Sequence, residues 1–227
     1  MDRDHEARVA DQLAELTRHG TVDAACVACD PGSVVGCAVL VKVNLTWTLL
    51  WMGAIKCASM EQPVEAMDAI ASVTGLLPPS TRLHVVVERQ FVHPGSIRSE
   101  AFIIGFLRAK LAPASLKTVN GQMRLKVPTL CITSAGSQAI RRIPSIPKGL
   151  TKSQRRTQVK HLAQQLFDVI CANPSHCLDP SSAAEWASHS DRKHDAIDAF
   201  LVAVRGCPFT ENTATLPSIT TSLKRKR

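Results

Sequence analysis

The chain of 227 residues contains no tyrosine, and only three tryptophans and six phenylalanines. No apolar run continues long enough without charge to span a bilayer, which takes about 20 residues. The longest strand-like run, 34–55, is broken by Gly36, Lys42, Asn44 and Gly53 and so reads as paired strands. A basic amphipathic helix with an aromatic face is also missing, which argues against an anionic membrane as partner. The first twenty residues, MDRDHEARVADQLAELTRHG, carry several acids. That pattern is wrong for a secretory leader and for an acid-poor mitochondrial transit peptide. Cys26 and Cys29 have CxxC spacing, but no second CxxC answers them, and His176 with Cys177 does not complete a zinc set. The eight cysteines therefore read mostly as small hydrophobes in a reducing compartment. Internal repeats are absent.

A further absence is more telling. From Ala101 to Phe167 there is no Asp or Glu, while Lys and Arg occur twelve times, within a formal net charge of +8. A short charge run is usually a solvated face. An acid-free segment of this length points instead to a polyanion, above all nucleic acid, where phosphate neutralisation supplies sequence-independent affinity. The chain closes on LKRKR after a Thr/Ser/Asn/Pro-rich stretch, which reads as a disordered, basic-ended tail over 207–227. Such a tract suits nuclear localisation or nucleic-acid contact and favours a nuclear over a mitochondrial setting, with the cytoplasm as the alternative.

What is present is a regular alternation of elements. Apolar positions at Val9, Leu13 and Leu16 predict a short amphipathic helix, an extension over 1–22 ahead of a domain spanning 23–206. AACVACD is a buried-strand run ending at Asp30, turned by Pro31 and Gly32 into strands over 34–43 and 46–56, with Asn44 at the bend. EQPVEAMDAIASVTGLL reads as a helix and RLHVVVE as a buried strand. GSIRSEAFIIGFLRAKLA reads as a helix with Ser96 as its cap, and PTLCITS as a further strand. Thr151 is the expected N-cap of a helix over 152–172, and a last helix carries RKHDAIDAFLVAV. The order predicts an α/β fold: a mixed sheet flanked by helices, with an antiparallel meander first and parallel crossovers after it.

Three acidic sites interrupt apolar surroundings. Asp30 ends the first strand, Glu88 the fourth, and Asp195 with Asp198 lies on the last helix. An ionised carboxylate in such a setting is costly unless paired or bound to metal. Adjacent strand ends would bring Asp30 and Glu88 together, and Asp195 and Asp198, at i and i+3, share one helix face. Clustered carboxylates suit a hard divalent cation, Mg²⁺ or Mn²⁺. Two such ions about 4 Å apart can activate water and stabilise the leaving oxygen in phosphodiester hydrolysis. The base-rich segment then supplies the phosphate-binding surface, and no small-molecule cofactor is called for.

These residues also carry a family resemblance. CDPGSVVGCAVL resembles the first hairpin of RuvC-type Holliday-junction resolvases, and VVVERQF the strand bearing the second acid in poxviral and fungal mitochondrial resolvases. KHDAIDAFLVAV is similar to their closing helix, and TKSQRRTQVKHLAQQLF to the basic helix before it in the viral enzymes. The similarity runs in order from about residue 24 to 205. It implies an RNase H-like mixed five-stranded sheet, a homodimer, and Mg²⁺-dependent symmetric nicking of four-way DNA junctions. It also implies that Asp30, Glu88, Asp195 and Asp198 are the metal-binding, catalytic carboxylates. Lys152, Arg155 and Arg156 fall in the basic helix, and Arg141, Arg142, Lys148 and Lys160 join them as expected DNA contacts.

Where the viral enzymes commonly have an acidic doublet, this chain has His194-Asp195. His194 either helps activate water or is an ordinary packing histidine. Gln90 matches the family's strand and is either an accessory group or a local hydrogen-bonding residue. Two other classes stay open: another RNase H-like nuclease acting on flaps, hybrids or transposon ends, and a non-catalytic DNA-binding scaffold.

Overall fold

The computed structural model describes residues 3–44, 46–91, 93–120 and 193–206. Between 149 and 167 it describes 149–151, 153, 154, 157, 158, 160, 161, 163, 164 and 167. The elements are α1 (Arg3–His19), β1 (Val22–Asp30), β2 (Val34–Val43), β3 (Thr46–Lys56), α2 (Val64–Gly75) and β4 (Arg82–Arg89). They are followed by α3 (Pro94–Leu111), β5 (Ser115–Asn120) and, at the end, α4 (Lys193–Gly206). The five strands form one sheet in the order β3-β2-β1-β4-β5. β1–β2 and β2–β3 are antiparallel, whereas β1–β4 and β4–β5 are parallel. This is the mixed five-stranded sheet, an antiparallel meander followed by parallel crossovers, that the sequence leads one to expect.

The sheet is buried on both faces. Side chains alternate along a strand, so Ala24, Cys26 and Ala28 of β1 face one core and Ala25, Val27 and Cys29 the other. The second core is closed by α1, α2 and α3. The helix expected ahead of the domain contributes Val9, Leu13 and Leu16 to it, all buried, so α1 is built into the folded unit. Its end is tied down by Asn44 at the β2–β3 turn, whose φ is 48° and whose Nδ2 donates to the His19 carbonyl at 2.5 Å. The CxxC spacing now has a simple meaning. Residues three apart in a strand point to opposite faces, so Cys26 and Cys29 lie in different cores and cannot share a metal.

The first core is built on α4. Residues 196–204 of this helix are all buried, the pattern of a helix covered on every side. Small residues on the sheet, Ala24, Cys26, Ala28 and Ala38, admit it closely. Phe167 covers the outside, its ring edge-on to Phe200 at 5.3 Å and 89°.

Two expectations shift. The fifth strand is Ser115–Asn120, while the strand expected over 128–134 lies outside the described residues. The N-cap of α3 is His93 with Pro94 in its first turn, and Ser96 is buried inside the helix; proline at the first helical position suits its fixed φ. Thr151 caps as expected. Its Oγ1 accepts from the Gln154 amide at 3.3 Å, and the Gln154 Oε1 accepts from the Thr151 amide at 2.9 Å, a capping box. The described residues from 153 to 167 are helical.

Candidate active site

Asp30 is the last residue of β1, and Glu88 lies one residue before the end of β4. The parallel register pairs Ala28 with Val86 and Cys29 with Val87, which makes Asp30 and Glu88 the next neighbours across the two strands. Both sit at even positions, in line with Ala28 and Val86, and therefore on the face that α4 covers. Asp30 is 8% and Glu88 3% exposed. They occupy the carboxyl ends of parallel strands, the edge at which open α/β sheets bind ligands.

The position of α4 is fixed from both ends. At its start, a Cβ added to Gly36 would clash with the Asp195 carbonyl oxygen and meet the Ala199 Cβ at 3.2 Å. Gly36 is the cross-strand partner of Asp30, so the bare glycine is the seat that lets the Asp195 backbone rest beside Asp30. At its other end, the Cys26 thiol lies 4.0 Å from the Ala203 carbonyl. Eight residues of helix rise about 12 Å and four of strand about 13 Å, so α4 runs back along β1 in step with it. Its N-terminus and Asp195 are at the carboxylate edge. Asp198, one turn on, is 8% exposed, while Asp195 and His194 are half-buried.

The turn after β4 completes this edge. Gln90 Nε2 donates to Asp30 Oδ1 at 3.5 Å, and the Gln90 backbone amide donates to Glu100 Oε2 of α3 at 2.7 Å. Arg89 lies over the exposed Phe91 ring, 5.4 Å from its centroid. Beneath Gly36, on the other face, the Cys37 thiol is held well above its ordinary range. The causes are a hydrogen bond with Cys29, then burial, then the neighbouring Cys29, Cys57 and Asp30. A thiol so held is a packing group rather than a nucleophile or ligand.

The structure thus brings Asp30, Glu88, Asp195, Asp198, Gln90 and His194 to one end of the sheet. Among the described residues, no three His, Cys, Asp or Glu side chains are already gathered as a metal site. The donor set still fits a hard divalent ion: all four principal groups are carboxylates, and three are almost fully buried. Of the expected DNA contacts, Lys160 is exposed, whereas Arg141, Arg142, Lys148, Lys152, Arg155 and Arg156 lie outside the described residues. Sequence reasoning missed Gly36 as the helix seat and Glu100 as the anchor of the Gln90 turn. Glu100 did leave a signal, being the one acid in the α3 run PGSIRSEAFIIGFLRAKL.

No family model and no curated protein matches the chain. Among solved structures it is similar to T. thermophilus RuvC in complex with Holliday junction substrate, at 15% identity and a TM-score of 0.38, over 80% of this chain and 91% of that one. It is also similar to the human cytomegalovirus terminase nuclease domain, Mn soaked, at 14% identity and a TM-score of 0.46, over 90% of this chain and 94% of that one.

Proposed function

We propose that the protein is a divalent-metal-dependent endonuclease that resolves four-way DNA junctions by paired, symmetric nicks, working as a homodimer in the nucleus. The observation that carries this reading is the convergence of acids. Asp30 and Glu88 stand in register on the α4 face of parallel strand ends, and Gly36 seats Asp195 beside them. A carboxylate buried at the edge of a hydrophobic sheet is costly unless it is paired, hydrogen-bonded or bound to a cation, and four acids converging on one edge suit a divalent ion. Asp30, Glu88, Asp195 and Asp198 would hold Mg²⁺ or Mn²⁺. Bound there, the metal would supply a water nucleophile at neutral pH and neutralise charge on the scissile phosphate.

The chain's own residues do the positioning. β1 and β4 hold two carboxylates on adjacent strands, and α4, docked along β1, sets the remaining pair against them. Gln90 orients Asp30. His194, half-buried at the start of α4, lies at the same edge as a candidate accessory group. The acid-free segment from 101 to 167 supplies phosphate contacts. The choice of a four-way junction over other substrates rests on the resemblance of the three acid-bearing motifs to resolvases.

The test is cleavage of a mobile four-way junction, a duplex, a flap and an RNA–DNA hybrid of matched sequence in Mg²⁺ or Mn²⁺. The reading predicts two nicks placed symmetrically across the junction. It also predicts that Asp195→Asn cuts at least about a hundredfold more slowly while binding the junction as tightly as wild type. Equal cutting of flap or hybrid would replace the substrate assignment, and no cutting of any substrate would leave a DNA-binding scaffold.

A further inference from the structure

We infer that Glu100 is a positioning residue of the carboxylate edge: it fixes the turn after β4 and so sets the Gln90 amide against Asp30. This role rests on the nuclease reading and adds a residue to it. Gln90 lies just beyond β4, whose ladders end with the pairing of Arg89 and Asn120. Its backbone N–H has left the sheet, and a donor lost from a ladder must find another partner. The partner is the Glu100 carboxylate from α3, at 2.7 Å, a short charge-assisted bond. Glu100 is half-buried on α3, next to the fully buried Ser99 and one turn from the fully buried Ile103. A carboxylate is an expensive way to satisfy one amide there, since a neutral acceptor would do so at lower desolvation cost.

The expense is accounted for by what the bond controls. The residue whose backbone Glu100 grips is the one whose side chain donates to Asp30 Oδ1, at 3.5 Å, the long limit of a hydrogen bond. A carboxylate has about four lone-pair sites, so accepting one amide hydrogen leaves Asp30 able to ligate a cation as well. The Glu100–Gln90–Asp30 chain therefore joins α3, on one face of the sheet, to a carboxylate facing α4 on the other. Groups that orient metal ligands in this way typically change metal affinity or activity by about 10–100-fold when removed.

The experiment is a calorimetric Mn²⁺ titration of wild type, Glu100→Ala, Glu100→Gln, Gln90→Ala and the Glu100→Ala/Gln90→Ala double variant, with hydrogen exchange of the Gln90 amide. Both alanine variants should weaken Mn²⁺ binding by about tenfold or more, the double variant should be no worse than either, and Glu100→Gln should recover much of the loss. The Gln90 amide should exchange slowly in wild type and fast in Glu100→Ala. Wild-type affinity in Glu100→Ala, or losses that simply add in the double variant, would overturn the role. A wild type that binds no Mn²⁺ would remove the nuclease reading and this role together; it is told apart by its own titration and by retained slow exchange at Gln90.

Discussion

At the residue scale, the smallest side chain carries the largest consequence. Gly36 is flat because the Asp195 carbonyl occupies the place of its Cβ. Gly36→Ala should force α4 off the sheet at its N-terminal end, at a cost of about 1–3 kcal/mol in urea denaturation. Cleavage should fall much further than stability, because the displaced end is the one bearing Asp195. A variant that cuts as wild type would show that the close seat is not needed. In the sequence, Gly36 was legible only as a break in an apolar run, since a glycine's reason lies in what approaches it from elsewhere. The four acids were legible because each is a charge where the surrounding pattern demands none.

His84 gives a second residue-level expectation. It bonds through Nδ1 to Ser115 Oγ at 2.8 Å, and burial, then Arg82, Lys117 and Lys42, hold its imidazole below the ordinary range. The unfolded chain takes up this proton near pH 6.5, as a free histidine does. Stability from neutral His84 is thus complete above that pH and is lost as pH falls toward the lower folded value. His84→Gln, able to keep a hydrogen bond to Ser115, should show a smaller drop in Tm between about pH 7.5 and pH 5.5 than wild type. An equal or larger drop would contradict this assignment.

At the scale of elements, the strands with dense apolar runs were readable, and β5, one of the two edge strands, was not. β1, β2 and β4 are buried on both faces and announce themselves by composition. β5, SLKTVN, is short and mostly polar, with Lys117 exposed, as befits a strand at the sheet margin. Its pairing with β4 is a tertiary fact that no local pattern encodes. The reverse holds for α1. Its spacing predicts an amphipathic helix, but only the fold shows that its apolar side completes the second core. Leu16→Ala should therefore destabilise the whole domain by about 2–5 kcal/mol, shifting a single cooperative unfolding transition. Loss of α1 alone, with the rest unfolding as before, would mark the helix as a detachable extension.

At the scale of the whole molecule, two charge distributions face different tasks. The acids proposed as the metal-binding set lie at the carboxyl ends of β1 and β4 and at the start of α4. The bases are spread along a continuous acid-free stretch, in which Lys160 is described as exposed. The order of elements and the mixed sheet followed from the sequence because periodicity and chain connectivity determine both. The geometry of the site did not, since it depends on register between strands distant in sequence and on one close helix–sheet contact. On the proposed reading, substrate choice would be set by how the basic stretch meets DNA, which composition indicates only as a class.

The central claim is that the four carboxylates form one metal-binding centre. Its most direct measurement is the anomalous scattering of Mn²⁺ in crystals soaked with that ion. The account predicts density within about 2.5 Å of oxygens from Asp30, Glu88, Asp195 and Asp198, absent from an Asp195→Asn/Glu88→Gln variant. Mn²⁺ bound elsewhere, with that edge of the sheet empty in the wild type, would contradict it.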